Sequence, residues 1–511
     1  MIDYRRTTRV VRLAVIVAAT AMRATAWTQS SGGASLPKVT GPIPVSADSY
    51  PQMAATRTQY PQDLGKAAYV EEEFFISGKT NVYDWLEDNS LVVKTANAPY
   101  TTRIVVRRPA DPARFSGSVI VEVLNNSARN YDQPFVWALS GPYIIESGHA
   151  YVGITQKPEG IDALKKFNPK RYESLSFANP TPDQKCGPKN ETSPTEEGLR
   201  WDVISQVGAL LKSTTAEKPL AGFNVQYLYL SSHLGDVATY ANAMHSHANL
   251  PNGKPIYDGY LIKNEENPAR ISRCSPAPPE GDPRTITRNV SVPVIRFITQ
   301  GDVPLTFKRR RDDSDEPGDR FRLYEIAAAP HMDKIYYEHL PVPEDQVKAG
   351  QPGFLANWPL TYLCTPTINL IDLPILRYAV DAAFANLDRW VRTGEPAPRA
   401  ERVAVVNGGT PQASFENDEF GNVKGGVRNP YIDVPSATYY ASSPGPAVCR
   451  NFGRIAPFDW ARLEKVYGSP QEYADKVAAS VDRLVQERWL TESDGERIKA
   501  AVSGTPPAPQ K

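Results

Sequence analysis

The chain has 511 residues, with 57 Lys+Arg against 57 Asp+Glu, so its formal charge is zero. Hydrophobic residues make up 41% and charged residues 22%, which allows a large buried core and excludes intrinsic disorder as the main state. A neutral chain has no broad cationic field to neutralise phosphates, so nucleic acid is excluded as the expected partner.

The first twelve residues carry Arg5, Arg6, Arg9 and Arg12, followed by an apolar run from Leu13 to Met22 and the small-residue pattern Ala24-Thr25-Ala26. A basic stretch, a short apolar stretch and a small-residue site are the parts of an export signal. Ten apolar residues are too few to cross about 30 Å of hydrocarbon as a helix, so residues 1–26 are expected to be a cleavable signal peptide. Removing them takes away five arginines and one aspartate, leaving 52 basic residues against 56 acidic ones, a mildly acidic exported protein. No later run approaches eighteen apolar residues, so no membrane span is expected in the mature chain. The expected location is periplasmic or extracellular.

Residues 27–66 are rich in Ser, Gly, Pro and Thr and read as an extended lead-in. Runs rich in β-branched and aromatic residues follow: Ser118–Leu124, Tyr151–Gln156, Val225–Leu230, a short one at Tyr260–Lys263, Val292–Thr299 and Phe321–Ala328. Between them lie helix-like stretches at Phe135–Ser147, Trp201–Ser213 and Asp236–His245. Alternation of such strands with helices predicts an α/β fold, a mainly parallel sheet flanked by helices. Leu376–Arg392 has apolar residues at helical spacing, and Gly394-Glu395-Pro396 ends it. The last helical region spans 459–503 and begins at Asp459, a residue type suited to capping a helix N-terminus. Proline is in excess, at 46 of 511 residues, about 9% against a usual level near 5%. It concentrates in stretches that interrupt the pattern. Residues 157–200, 332–365 and 405–455 are therefore expected to be lid-like insertions in one domain spanning 27–511. The mixed-sign run from Lys308 to Glu316 reads as a self-compensating solvated loop.

The four cysteines, Cys186, Cys274, Cys364 and Cys449, form no C-x-x-C pair. That disfavours structural zinc and, in an exported protein, allows up to two disulfides.

Three sites stand in suggestive chain order. Ser231 and Ser232 follow a strand and precede a helix. Asp302 lies just past the strand Val292–Thr299, and His331 just past the strand Phe321–Ala328. A serine on a tight strand-to-helix turn, then a carboxylate, then a histidine, each beyond a later strand, is the order of one class of Ser–acid–His triad. His331 would take the serine proton, and Asp302 would hold its tautomer.

Long segments carry a further resemblance: GSVIVEVLNNS, GHAYVGITQ with KRYESL, TYANAMH, YEIAAAPHMD, AAFANLDRWVRTGEPAP, GNVKGGVRNPYIDVPSATYY, LEKVYGSPQEYADKV and RWLTESDGERIKAA. On these the chain resembles the bacterial and fungal α/β-hydrolase-domain proteins, which are similar to secreted esterases. The resemblance implies an α/β-hydrolase fold and a Ser-Asp-His triad, with the family acid at Asp302 and the family histidine at His331.

The nucleophile turn departs from that pattern, which is Gly, any residue, Ser, Gln, a small residue, then Gly or Ala. With Ser232 as nucleophile the trailing Gly235 is kept, but Leu230 and Leu234 occupy tight positions. With Ser231, Tyr229 and His233 do. A third register puts small residues at both flanks and His233 at the nucleophile position, where an imidazole suits ordinary ester hydrolysis poorly. Ser232 is the leading candidate and Ser231 the alternative. The expected oxyanion donors are the His233 N–H and Asn125 or Asn126 in the loop after an early strand. No Walker loop or G-x-G-x-x-G after a strand is present, so no cofactor is expected. The resulting expectation is a serine hydrolase for a small-molecule or polymeric carboxylic ester. Its alternative is a binding protein on the same fold with an impaired nucleophile turn.

Overall fold

The structure is a computed structural model that describes residues 34–126, 131–187, 189–233, 235–264, 269–279, 281–351 and 371–503. Its centre is a nine-stranded sheet in the order β1-β2-β3-β5-β4-β6-β7-β8-β9. Strands β1 (Lys38–Thr40), β2 (Tyr69–Trp85) and β3 (Leu91–Pro109) form the antiparallel side. Strands β4 (Ser118–Val123), β5 (Ala150–Ile154), β6 (Tyr227–His233), β7 (Gly259–Lys263), β8 (Val294–Thr299) and β9 (Phe321–Ile326) are mutually parallel. Every residue of β4, β5, β7, β8 and β9 is buried, as required of parallel strands covered on both faces.

Helix α1 (Phe135–Glu146) joins β4 to β5; α2 (Pro158–Phe167) and α3 (Arg200–Lys212) lie between β5 and β6. Helix α4 (Asp236–Ala243) follows β6, and the short α5 (Val303–Thr306) follows β8. After β9 come the short helices α6 (Lys334–Glu338) and α7 (Pro343–Lys348), then the long α8 (Ile375–Thr393). Helix α8 ends at Gly394, whose φ of 77° is the left-handed conformation of a helix C-terminus. It packs against the sheet at Gly259, where an added Cβ would lie 3.0 Å from Leu387 and 3.2 Å from Val391.

A carboxylate in the sheet starts α1. The helix has Pro134 before it and no side-chain cap of its own. Glu122, inside β4, accepts the Val136 and Trp137 N–H groups at 2.9 and 3.2 Å and the Tyr151 hydroxyl at 2.8 Å. It thereby satisfies donors that a helix start leaves open. Burial pushes the Glu122 carboxyl up to about 7, against the opposing pull of these donors and of Arg107.

Three expectations change in the structure. The 17- and 19-residue strands β2 and β3 were not apparent, because their acidic and basic residues disguise the strand pattern. Glu73 pairs with Arg103 and Arg171, Glu71 with Arg107 and Glu72 with Arg108, most of these buried or half-buried. The segment 157–200 contains helix α2, with Ile161, Leu164 and Phe167 in the core. The charged run 308–316 is exposed at Lys308, Asp312, Asp315 and Glu316, but it is not self-compensating. Arg310 pairs with Glu325, Arg311 with Asp319, Asp313 with Arg402 and Asp315 with Arg322, which fastens residues 397–403 over β9.

Short elements fill 405–457: β10 (Val405–Val406), β11 (Ser414–Phe415), α9 (Pro430–Asp433), β12 (Ala437–Tyr440), α10 (Ala447–Arg450) and β13 (Arg454–Pro457). The chain ends in α11 (Trp460–Tyr467), α12 (Pro470–Gln486) and α13 (Glu492–Ser503), which share a second apolar cluster around Val477, Val481, Leu484 and Ile498. Asp459 caps α11 by accepting from the Arg462 N–H at 2.8 Å, and Ser469 caps α12 through the Glu472 N–H at 3.2 Å. Cys186 and Cys274 form a disulfide that ties the 157–200 segment to the chain after β7, and Cys449 is also disulfide-bonded. Cys364 lies outside the described residues.

Candidate active site

The parallel order of β6, β7, β8 and β9 brings four strand ends to one edge of the sheet. β8 ends in the turn Gln300–Asp302, and β9 leads through Ala327, Ala328 and Ala329 to His331. These two turns touch. A Cβ on Gly301 would lie 3.2 Å from the His331 backbone nitrogen and 3.0 Å from the Ala441 carbonyl oxygen, so a larger residue would require the neighbouring backbone to give by a few tenths of an ångström.

The contact sets up a histidine–carboxylate pair. His331 Nδ1 and Asp302 Oδ1 are 2.8 Å apart. The other Asp302 oxygen accepts from the Thr299 hydroxyl at 2.5 Å, and the Asp302 backbone carbonyl accepts from the Thr306 hydroxyl at 3.0 Å. Burial alone would raise the Asp302 carboxyl. The charge and hydrogen bond of His331, the Thr299 hydroxyl and the charge of Lys263 outweigh it and hold Asp302 below the ordinary carboxylate range. An ionised Asp302 holds the proton on Nδ1 and leaves His331 Nε2 turned toward the site.

The group that meets His331 Nε2 is an imidazole. His233 closes β6, paired in the ladder with Lys263 of β7, and its Nε2 lies 3.3 Å from His331 Nε2. Its Nδ1 is 3.0 Å from the Lys263 ammonium. Phe135 stacks on the ring, with centroids 4.0 Å apart and planes 16° from parallel. The Asn125 amide donates to the His233 carbonyl at 3.2 Å. Burial, then Lys263, then His331 push His233 well below its ordinary value, so it is neutral. An ammonium has only donors, so Lys263 makes His233 Nδ1 the acceptor and leaves the ring proton on Nε2. When His331 is neutral this makes a directed chain: Lys263 donates to His233, His233 to His331, and His331 to Asp302.

The two serines face elsewhere. Ser231 donates to the Leu261 carbonyl at 2.8 Å. The Ser232 hydroxyl, fully buried, accepts the Val237 N–H of α4 at 3.4 Å. Among the described contacts neither is hydrogen-bonded to His331. Of the expected oxyanion residues, Asn125 has its backbone N–H on Gln133 at 3.3 Å and its side chain on His233. Asn126 is buried, and its side-chain amide nitrogen has no hydrogen-bond partner among the described residues. His233 stands at the site through its ring.

Sequence reasoning missed Lys263, Asn264, Thr299 and Phe135. Asn264 accepts the Thr299 N–H at 3.3 Å, and its amide nitrogen lies 3.4 Å from His331 Nδ1. Asp236 is buried at the start of α4. Burial raises it, but Lys157, 3.1 Å away, and Arg200 prevail and keep it below the ordinary range. No group of three or more His, Cys, Asp or Glu that could hold a metal ion occurs among the described residues.

A parallel sheet flanked by helices, with an acid past one strand and a histidine past the next, defines the α/β-hydrolase class of proteins. The family model for the alpha/beta hydrolase domain matches residues 39–500, and the chain belongs to that family. No curated protein matches. Among solved structures, esterase Est22 is similar at 10% identity, covering 57% of this chain and 80% of its own, with a TM-score of 0.29. Poly(aspartic acid) hydrolase-1 from Sphingomonas sp. KT-1 is similar at 12%, covering 42% and 72%, with a TM-score of 0.23. Esterase B from Lactobacillus rhamnosis is similar at 9%, covering 49% and 74%, with a TM-score of 0.24.

Proposed function

We propose that this protein is an acyl hydrolase of carboxylic esters, with His331 as the proton-transfer base and Asp302 as its orienting partner. The observation that supports it is the 2.8 Å His331–Asp302 contact at the strand edge, with Nε2 turned toward the end of β6. In this reading the substrate carbonyl lies against the β6–α4 turn. His331 takes a proton from the attacking group and returns it to the leaving alcohol. Ser232 is the hydroxyl of the expected triad, and its attack requires it to leave the Val237 N–H and turn toward His331. The long segments 157–200, 332–365 and 405–455 would then shape the substrate pocket. Export is part of the same proposal and is supported by the disulfides at Cys186–Cys274 and Cys449. No helix among the described residues is long and apolar enough to cross a membrane.

A second reading, a binding protein on a hydrolase fold, is favoured by the imidazole that occupies the place of a nucleophilic hydroxyl. Turnover of short p-nitrophenyl esters, together with labelling by a fluorophosphonate probe, separates the two. Hydrolysis above buffer that is blocked by the probe supports the hydrolase. Neither turnover nor labelling in folded protein selects the binding reading.

A further inference from the structure

The C-terminal helices leave an aromatic groove open. Helix α11 carries Trp460, Leu463, Glu464 and Tyr467 at positions i, i+3, i+4 and i+7, which puts them on one face. Pro470 and Tyr473, at the start of α12, form the facing wall, and the groove between them has a volume of about 210 Å³. Its floor is fixed. Tyr467 and Tyr473 meet edge to face with centroids 5.1 Å apart, and the Tyr467 hydroxyl donates to the Pro435 carbonyl at 2.8 Å. Its rim is uncovered. Trp460 is 47% exposed, and Glu464 is exposed with no ion pair among the described residues.

We propose that this groove is a docking site for a proline-rich segment, and that its occupant is residues 505–511 of the same chain, Thr-Pro-Pro-Ala-Pro-Gln-Lys. The proposal is independent of the chemistry at the sheet edge. Position supports it first. The five-residue connection 487–491 turns the chain back, so α13 lies antiparallel on α12. A Cβ on Gly495 would lie 2.9 Å from Val481 and 3.0 Å from Val485, and Lys499 pairs with Asp482 at 2.5 Å. From Gly495 to the end of α13 at Ser503 the chain climbs about 12 Å at the helical rise, toward the start of α12. It therefore leaves α13 within about one turn of the level of Tyr473, beside the groove.

Reach and chemistry agree with this placement. Eight residues in a polyproline helix span about 25 Å, more than the 10–12 Å width of α12 that must be crossed to lie on α11. Pro506 and Pro509 have the P-x-x-P spacing. With three residues per turn they share one face, the face that such segments lay along aromatic-lined grooves. Lys511, two positions further on, supplies a cation for Glu464. Prolines lose little conformational freedom on docking, and a tether of a few residues gives an effective concentration in the mM range. A small interface is therefore enough to hold the segment in cis.

The test uses the full chain carrying the photocrosslinker Ala508→p-benzoylphenylalanine. After irradiation, peptide mass spectrometry is expected to find residue 508 joined to residues between 460 and 473. A mixture of isotopically light and heavy protein should give no light–heavy product, because the contact is within one molecule. Adding Trp460→Ala should lower the yield about fivefold or more, and so should the pair Pro506→Gly and Pro509→Gly. The proline pair lies beyond α13, so it decides the matter even if loss of Trp460 disturbs α11. No crosslink, a crosslink elsewhere, a light–heavy product, or a yield that the proline pair leaves unchanged would overturn the inference. A light–heavy product would assign the groove to the tail of a second copy instead. None of these outcomes bears on ester turnover, so the hydrolase reading stands or falls separately.

Discussion

In the proposed hydrolase the Asp302 carboxylate would act by being charged where burial would neutralise it. Its two oxygens are divided between His331 and the Thr299 hydroxyl, so the removal of one negative charge leaves the geometry but reverses the logic. Asp302→Asn is expected to lower kcat on an aryl ester by about 1,000-fold or more, because an amide no longer selects the Nδ1–H tautomer of His331. Stopped-time assays on folded variant check this, and a loss below tenfold would contradict it. The meeting of Asp302 and His331 could be read from the sequence because each falls immediately past a strand that its own composition announces. Lys263 could not. Its role depends on β7 lying beside β6, a neighbour relation that no local pattern carries, and its strand is only five residues long. The same is true of Phe135, which reaches His233 from the first turn of a helix about a hundred positions earlier.

At the scale of single elements, Glu122 couples pH to the start of α1. Its folded pKa, about 7, lies above the ordinary 4.5. A raised acid favours the folded state most fully below pH 4.5, and that contribution is lost as pH rises through 7, to a total of about 3 kcal/mol at most. Replacing it by Glu122→Gln removes the titration. The Tm of the variant minus that of the wild type should therefore become more positive between pH 5 and pH 8, measured by calorimetry; a constant difference would contradict the account. The disulfide Cys186–Cys274 closes a separation of 88 residues, which in the chain-entropy view is worth about 4.6 kcal/mol. Cys274→Ser should lower Tm by several degrees or more while leaving the sheet intact by circular dichroism. The parallel strands were legible as continuous apolar runs, since they are buried on both faces. The β2–β3 hairpin was not, because a strand whose glutamates and arginines neutralise one another inside the protein looks, in one dimension, like a polar segment.

Across the whole molecule, the described chain has two apolar clusters, a large one around the sheet and a smaller one around the C-terminal helices. Leu484, fully buried in the second, should cost about 2–5 kcal/mol when cut to alanine. Denaturant unfolding of Leu484→Ala measures this, and a loss below 1 kcal/mol would show that α12 is not a structural part of the domain. In the proposed hydrolase, the long proline-rich segments are where the choice of acyl and leaving group would be made. The central claim is narrower: that the His331–Asp302 pair performs acyl hydrolysis. It is tested most directly by kcat/KM for p-nitrophenyl acetate, measured for the wild type and for folded His331→Ala. A wild-type rate above buffer and a fall of about 1,000-fold or more in the variant are expected. Equal rates in the two proteins, or no wild-type turnover, would contradict it.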